Sequence, residues 1–268
     1  NTGKVPNTSA TAASSGSDLN GMAADDACRK IKARLARFAA ERRQTTEDEV
    51  QFLPGEVRIG TEKISFEDLI GDAYRARVPL SATGFYATPK ISWDKAQAKG
   101  RPFFYFAYGA AVTEVAIDTL TGENRVIRVD ILHDVGTSLN SAIDLGQIEG
   151  GYVQGTGWLT TEELWWNDKG ILKTHAPSTY KIPVCGDRAP DMRINLWTRG
   201  ENSEKTIYRS KAVGEPPLML CISALMALSD AVAGAGGYTD YPALDAPATP
   251  ERILAAVHRV RQQMEGAA

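Results

Sequence analysis

The chain has 268 residues, of which 43% are hydrophobic and 24% charged, and this composition predicts a globular fold of one large domain or two small ones. Its 30 Lys and Arg residues against 33 Asp and Glu give a formal net charge of −3, so there is no global basic field and we expect no nucleic-acid partner. The longest apolar run, 218–228, is interrupted by Ser223 and is shorter than the roughly 20 residues that cross a bilayer, so we expect no membrane span.

The first predicted helix follows a segment of small polar residues. Residues 1–17 are mostly Thr, Ser, Ala, Asn and Gly, a composition typical of a linker. Asp18 then stands as a candidate N-cap, and the apolar residues after it recur three and four positions apart, as one helix face requires. That face consists of Leu19, Ala23, Ala27, Ile31, Leu35 and Phe38.

The middle of the chain changes from weak signals to a strand pattern. Residues 44–100 contain a short helix candidate at 66–76 and otherwise no clear periodicity. Apolar residues then alternate, and the segments 103–118 and 125–135 flank the turn-prone sequence Thr-Gly-Glu-Asn. We therefore predict a β-hairpin.

A helix dense in glycine is predicted for residues 139–164. Its glycines are Gly146, Gly150, Gly151, Gly155 and Gly157. Each of them costs about 1 kcal/mol of helix propensity relative to Ala, so a compensating interaction is needed. The helix either packs closely against a strand or presents its N-terminal end to a bound group.

The last third of the chain returns to strands and then to helices. Short strands are predicted at 192–198 and 206–209. The helix Leu218–Val232 is apolar on almost every side, which is typical of a buried helix. Thr249 and Pro250 fit the N-cap and the first turn of a final helix.

These elements together predict an α+β fold, because strands and helices occur without strict alternation. We divide the chain into two sub-lobes, residues 1–100 and 101–268. The chain begins at Asn1 without Met or a signal-peptide pattern, so we expect it to be a piece of a longer polypeptide.

Glu215 is the most informative residue of the chain. It lies between Gly214 and the pair Pro216-Pro217, immediately before the apolar helix. Pro216 favours an extended conformation at Glu215, and prolines fit the first turn of a helix, so the carboxylate is expected beside the N–H groups of a helix start. Both a structural N-cap and a general base fit that position.

Two further positions offer hydrogen-bond donors to a ligand. Gln147 follows Gly146, where the backbone of the glycine-rich helix is most open, and its amide suits an oxo group or a carbonyl; taken alone, a Gln here is more often a surface residue. The segment Ala12–Ser17 offers closely spaced N–H groups and three serine hydroxyls. It lacks the P-loop pattern, so an anion-binding nest and a linker both remain open.

Cysteine and histidine positions bear on metal chemistry and on the compartment. Cys28, Cys185 and Cys221 are widely separated, which fits neither a disulfide framework nor a clustered zinc or iron–sulfur site, and we infer a reducing, cytoplasmic compartment. The three histidines are also widely separated in the sequence and form no HExxH pair. A metal ion held by the protein's own side chains is therefore not expected.

Several segments occur along the chain in a recognisable order: SATAASSGSDLNG, TGFYATP, DILHDVGTSLNSAIDLGQIEGGYVQGTGWLTTEELW, APSTYKIP and SKAVGEPPL. Taken together, from about Lys4 to about Ile253, they resemble the C-terminal half of the molybdenum-binding portion of the xanthine dehydrogenase family. GQIEG and KAVGEPPL are the most specific signatures. The resemblance implies a two-lobed molybdopterin-binding domain of the molybdenum hydroxylase type, of which residues 1–268 form the C-terminal portion.

The resemblance also implies residue roles. Glu215 corresponds to the family's catalytic base, which takes the proton from the molybdenum-bound hydroxyl so that its oxygen attacks an electron-poor purine carbon. Gln147 corresponds to the glutamine that hydrogen-bonds the oxo ligand of the metal. The metal is held by the dithiolene of the molybdopterin, so no side chain is expected as its ligand. The loop that holds the pterin corresponds to Ala12, Ala13, Ser14, Ser15, Gly16 and Ser17.

The implied reaction oxidises hypoxanthine or xanthine to xanthine or urate with water-derived oxygen. The residues that orient the purine belong to the preceding half of the subunit, which is therefore an expected partner. Iron–sulfur clusters and FAD are expected on other domains or subunits, with NAD as electron acceptor and a dimeric assembly. Two alternatives remain open: an aldehyde-oxidase-type hydroxylase, whose relatives usually show Ser-Gly or Ser-Pro in place of Pro216-Pro217, and a non-catalytic cofactor-binding or docking module.

Overall fold

The computed structural model describes residues 12–267, so the expectations for residues 1–11, including most of the linker segment, lie outside the described residues. The chain divides into two compact units, Asn1–Phe104 and Tyr105–Ala268. Each unit contains both helices and strands, which confirms the predicted α+β class.

The first unit packs two helices on a three-stranded antiparallel sheet. The strands are β1 (Val50–Leu53), β2 (Glu56–Ile59) and β3 (Glu62–Ser65), and the helices are α1 (Met22–Arg43) and α2 (Phe66–Arg75). Their shared core consists of the buried side chains of Leu35, Ala39, Val57, Ile59, Leu69 and Ala73. A separate hairpin, β4 (Ser92–Asp94) and β5 (Lys99–Arg101), is exposed along its whole length.

The sequence pattern locates α2 correctly but misplaces the start of the first helix. Ser65 caps α2, because its hydroxyl accepts a hydrogen bond from the Asp68 N–H at 3.0 Å. A π-helical turn, Ser17–Gly21, runs directly into α1, so Asp18 lies inside the helix and is not its N-cap. The sheet β1–β3 is not predicted because each strand has only four residues, too few for a clear alternation, and β3 begins with two charged residues in succession.

The second unit is built on a three-stranded sheet in the order β6-β7-β8. β6 (Gly109–Ile117) and β7 (Asn124–His133) form the predicted hairpin, and β8 (Asp191–Leu196) pairs in parallel with β7. The helices of this unit are α3 (Ser141–Thr160), α4 (Ile222–Ala235) and α5 (Pro250–Ala267). One core lies between the sheet and α3, and a second one packs α4 on α5.

The strand predicted at 206–209 is wrong. This segment forms a 3-10 turn in which Tyr208 and Arg209 have φ values of 47° and 61°, a left-handed conformation that excludes a strand. Two buried side chains hold the turn: the Thr206 hydroxyl and the Asn202 amide both donate to the Ser210 carbonyl oxygen, at 2.6 and 3.0 Å. Side-chain bonds to the backbone leave no periodic signal in a sequence.

The apolar helix differs from its prediction in length and in burial. The segment Pro216–Ala235 is helical and has a mean hydropathy of 1.9, so it is long and apolar enough to cross a bilayer. The expectation that the apolar segment is too short for a membrane span, drawn from residues 218–228, is therefore wrong. A core helix meets the same criteria, and one face of this segment is buried in the cores of the second unit. Met219, Ile222 and Met226 are exposed, so the helix is not buried on every side.

We expect two of the three cysteines to react with a thiol reagent in the folded protein. Cys28 and Cys185 are exposed, whereas Cys221 is buried, and burial raises the pKa of its thiol to about 11. Because the thiolate is the reactive form, Cys221 should stay unlabelled at neutral pH until a denaturant unfolds the second unit. Mass spectrometry with and without denaturant counts the labels, and three labels in the native protein would contradict the buried position.

Candidate functional site

Glycines on α3 allow a neighbouring helical segment to pack directly on its backbone. The segment is the 3-10 turn Pro216–Cys221, which precedes α4. A Cβ on Gly151 would lie 3.0 Å from the Pro217 Cβ, and one on Gly155 would lie 2.8 Å from the Cys221 Cβ, so a side chain at either position requires a shift of the neighbour. These two glycines contact the 3-10 turn, while α3 also packs against the sheet through its apolar side chains, which agrees with the predicted packing against a strand.

The glycine contacts also determine how two candidate residues lie relative to each other. Gly151 contacts Pro217 near the start of the 3-10 turn, and Gly155, one turn later on α3, contacts Cys221 at its end. The two segments therefore run in the same direction. Gln147 lies one turn, about 6 Å, before Gly151 on the same side of α3, and Glu215 lies just before the start of the 3-10 turn. The structure therefore brings Glu215 and Gln147 to the same end of this helix pair, and both side chains are exposed.

Glu215 does not have the extended backbone that its sequence neighbours predict. Its φ of −97° and ψ of −39° are helical, because the Leu218 N–H donates to the Glu215 carbonyl oxygen at 3.0 Å and closes a turn. The Glu215 side chain accepts no capping hydrogen bond from the 3-10 turn, which argues against the N-cap alternative. An exposed carboxylate in this position can accept a proton from a ligand at the surface of the unit.

In the serine loop, residues 12–17 of the first unit, residues 12–15 form a tight turn and Ser17 begins the π-helical turn. Ala13 and Ser14 both have a φ of 53°, in the left-handed region. The N–H and the hydroxyl of Ser15 both donate to the Ala12 carbonyl oxygen, at 3.2 and 2.7 Å. Helical backbone begins directly after this turn. The loop therefore presents hydroxyl groups next to the N–H groups of a helix start, which suits an anionic or carbonyl ligand.

The N-terminal end of α3 is capped by its own chain. The Asn140 side chain accepts hydrogen bonds from two N–H groups of the first turn, at 3.1 and 3.3 Å, so these two donors are already paired, and ligand binding at this helix end stays a prediction. Gly146 and Gly150 border open space within the described part of the chain, because a Cβ at either position meets no atom within 4 Å. A group that approaches this part of α3 meets open backbone and the Gln147 amide.

The structure adds a polar cluster that the sequence pattern does not reveal, formed by the buried His133 and the partly buried Asp134 and Lys211. His133 ends β7 and is 1% exposed, and neither of its ring nitrogens has a hydrogen-bond partner within residues 12–267. Burial lowers the pKa of His133; the Asp134 carboxylate opposes this effect and the Lys211 ammonium adds to it. Because Lys211 and Asp134 are 77 positions apart, no periodicity connects them.

A cleft of about 900 Å³ lies in the second unit beside the C-terminal half of α3. Its walls include Tyr152 and Thr156 on α3 and Asp118 and Arg125 at the end of the β6–β7 hairpin. Neither Gln147 nor Glu215 lines it. The cleft is therefore separate from the end of the helix pair at which the two candidate residues lie.

Comparison with protein families identifies the chain's relatives. A family model described as "Molybdopterin cofactor-binding domain" matches residues 1–189. The chain belongs to the molybdopterin cofactor-binding domain family. The range that the family model matches contains the serine loop and Gln147 and ends before Glu215.

Curated relatives of this molybdopterin cofactor-binding domain include xanthine dehydrogenases. Over 94% of its length the chain is 47% identical to "Xanthine dehydrogenase/oxidase" of Gallus gallus and 45% identical to "Xanthine dehydrogenase" of Oryza sativa subsp. japonica. The chain spans 17% and 18% of the lengths of these two proteins. The resemblance inferred from the motifs is confirmed.

Solved structures share the fold of this molybdopterin cofactor-binding domain. CO dehydrogenase from Oligotropha carboxidovorans matches with a TM-score of 0.81 and 20% identity, over 98% of this chain and 31% of that chain. Quinoline 2-oxidoreductase from Pseudomonas putida 86 matches with a TM-score of 0.75 and 25% identity, over 92% of this chain and 30% of that chain. These likenesses confirm the predicted fold of the molybdenum hydroxylase type.

The chemistry of the candidate residues fits a pterin cofactor. They offer an amide at Gln147, and hydroxyl and N–H groups in the serine loop. Such neutral donors bind the carbonyl, oxo and phosphate groups of an organic cofactor. Among residues 12–267 there is no group of three or more His, Cys, Asp or Glu placed to hold a metal ion. The serine loop of the first unit and Gln147 of the second therefore each offer groups that suit a cofactor bound through hydrogen bonds.

Proposed function

We propose that this chain forms part of the molybdenum site of a hydroxylase that oxidises hypoxanthine or xanthine. Glu215 is its general base, and Gln147 and the serine loop bind its cofactor. The observation that carries the proposal is the position of Glu215 and Gln147 at the same end of the helix pair. Identity of 47% to a xanthine dehydrogenase/oxidase over 94% of the chain supports a purine as the substrate.

Each residue has a role that follows from its chemistry. Glu215 takes the proton from the water-derived nucleophile and holds it on the carboxylate. Gln147 donates an amide hydrogen bond to the cofactor, and the serine loop binds the pterin through hydroxyl and N–H groups. Bound molybdopterin supplies the redox centre that accepts the two electrons of the oxidation.

The proposal includes a larger assembly, because the chain spans 17% of the length of its relative from Gallus gallus. The preceding half of the molybdenum-binding subunit supplies the purine-orienting residues. Iron–sulfur clusters and FAD on other domains or subunits pass the electrons to NAD, and the assembly is dimeric, with no nucleic-acid or membrane partner. We place the protein in the cytoplasm, where its three free cysteines stay reduced.

The isolated chain should bind no molybdopterin and hydroxylate no purine, whereas the complete protein should do both. Exposed apolar side chains on the Pro216–Ala235 segment, namely Met219, Ile222 and Met226, should also make the isolated chain associate. Elemental analysis of molybdenum, xanthine-dependent dye reduction and sedimentation check these outcomes on both proteins.

Each result of this comparison has a clear meaning. A monomeric, molybdenum-loaded and active isolated chain would show that the preceding half of the subunit is not needed. A complete protein that contains molybdenum but oxidises aldehydes and not purines would replace the purine with the aldehyde class. A complete protein without molybdenum would contradict the proposed function altogether.

A further inference from the structure

Glu215 lies at the end of a segment that neither a helix nor a strand holds in place. Residues 211–214 have irregular backbone between the buried Ser210 and the 3-10 turn Pro216–Cys221. The position of the Glu215 carboxylate therefore depends on the contacts of the residues just before it as well as on the 3-10 turn that follows it.

Those contacts are made at the beginning of the segment. The Lys211 N–H donates to the Val135 carbonyl oxygen at 2.7 Å, and the Lys211 ammonium donates to the Asp134 carboxylate at 2.6 Å. The Ala212 N–H donates to the Tyr105 hydroxyl oxygen at 2.8 Å. Backbone and side chain thus tie the segment to the chain that follows β7.

Asp134 is a well-held anchor for the lysine. Its N–H donates to the Tyr108 carbonyl oxygen at 2.8 Å, and its other carboxylate oxygen accepts the Gly136 N–H at 2.8 Å. The Lys211 ammonium also lies 5.0 Å from the centre of the Tyr108 ring. These contacts restrict the Lys211 side chain to one arrangement beside Asp134.

The ion pair is partly buried, with the Lys211 side chain 7% exposed and the Asp134 side chain 18% exposed. Removing two charges from water costs solvation that their mutual attraction only about offsets, so a buried pair adds little to net stability. Its directional, charge-assisted bonds do specify one geometry. Positioning of the attached segment is therefore a better account of the pair than stability.

We infer that the Lys211–Asp134 ion pair positions Glu215 for proton transfer, an inference that rests on the proposed role of Glu215 as general base. Loss of the pair frees the segment that carries Glu215, and a misplacement of about 1 Å at a reacting group lowers a rate about 10²-fold. Lys211 and Asp134 are positioning residues, because they act through Glu215.

The inference is tested by Lys211→Met and Asp134→Asn in the complete, molybdenum-loaded protein. Asp134→Asn keeps the shape of the side chain and serves as a second variant if Lys211→Met does not fold. We expect kcat per bound molybdenum to fall about 10²-fold in each variant while KM for xanthine changes less than about threefold. Lys205→Met, at an exposed lysine in the preceding loop, is the matched control and should have wild-type kcat.

A double-mutant cycle separates positioning from a general structural role. In a Glu215→Gln background Lys211→Met should cause no further loss of the residual rate, because the base that it positions is already absent. Wild-type kcat per molybdenum in both single variants, with or without a lower molybdenum content, would overturn the inference. A wild-type kcat for Glu215→Gln alone would instead contradict the proposed function, so the two failures are distinguishable.

Discussion

Replacing Glu215 by Gln should lower the turnover of the complete protein about 10²- to 10⁴-fold while its molybdenum content stays close to wild type. The amide keeps the size and polarity of the side chain but cannot accept the proton. Because the Glu215 side chain is exposed and Gln has the same shape, the substitution should leave the fold intact. The measurements are kcat with xanthine, molybdenum by elemental analysis and the thermal unfolding midpoint.

The matched control is Asp168→Asn, which removes one carboxylate from an exposed turn of the same unit. It should change neither turnover nor molybdenum content. If Glu215→Gln loses most of its molybdenum and keeps more than about a tenth of the activity, Glu215 has a structural role and is not the base.

Two Gly→Ala substitutions on α3 should change stability in opposite directions. At Gly155 the new methyl group would contact the Cys221 sulfur and lie 2.8 Å from the Leu218 carbonyl oxygen, so we expect a loss of about 1 to 3 kcal/mol in the free energy of unfolding. At Gly150 the methyl group borders open space, and Ala should stabilise the helix by about 0.5 to 1 kcal/mol.

Urea unfolding of the chain measures both effects, and each variant controls for the other because both replace a glycine of one helix by the same residue. The helix-propensity gain is common to the two positions, so the difference between them isolates the helix contact. Stabilisation by both substitutions would show that the 3-10 turn does not approach the α3 backbone.

The elements that sequence analysis located are those with strong local signals. The hairpin β6–β7 has alternating apolar residues and a turn sequence between them, α2 has its Ser65 cap, and α5 has the Thr249-Pro250 start. Each signal lies within a few residues of the element that it specifies. The candidate residues Glu215, Gln147 and those of the serine loop came from motif resemblance together with their unusual neighbours.

The features that sequence analysis missed depend on residues far apart in the chain. The direction of the helix pair follows from which glycine meets Pro217 and which meets Cys221, and nothing near Gly151 or Gly155 in the sequence reveals this. The Lys211–Asp134 pair likewise joins two segments 77 positions apart. Glu215 was expected to be extended because the rule for residues before proline is local, whereas a hydrogen bond from Leu218 decides its conformation.

The buried thiol of Cys221 sits against Gly155, between α3 and the 3-10 turn that follows Glu215. A reagent can reach this sulfur only when the two segments separate, whether in a local fluctuation or in complete unfolding. Under conditions in which reclosing is faster than labelling, the labelling rate would report the free energy of that opening. The molecule therefore carries a natural probe of the free energy that separates α3 from the 3-10 turn at Gly155 and Cys221.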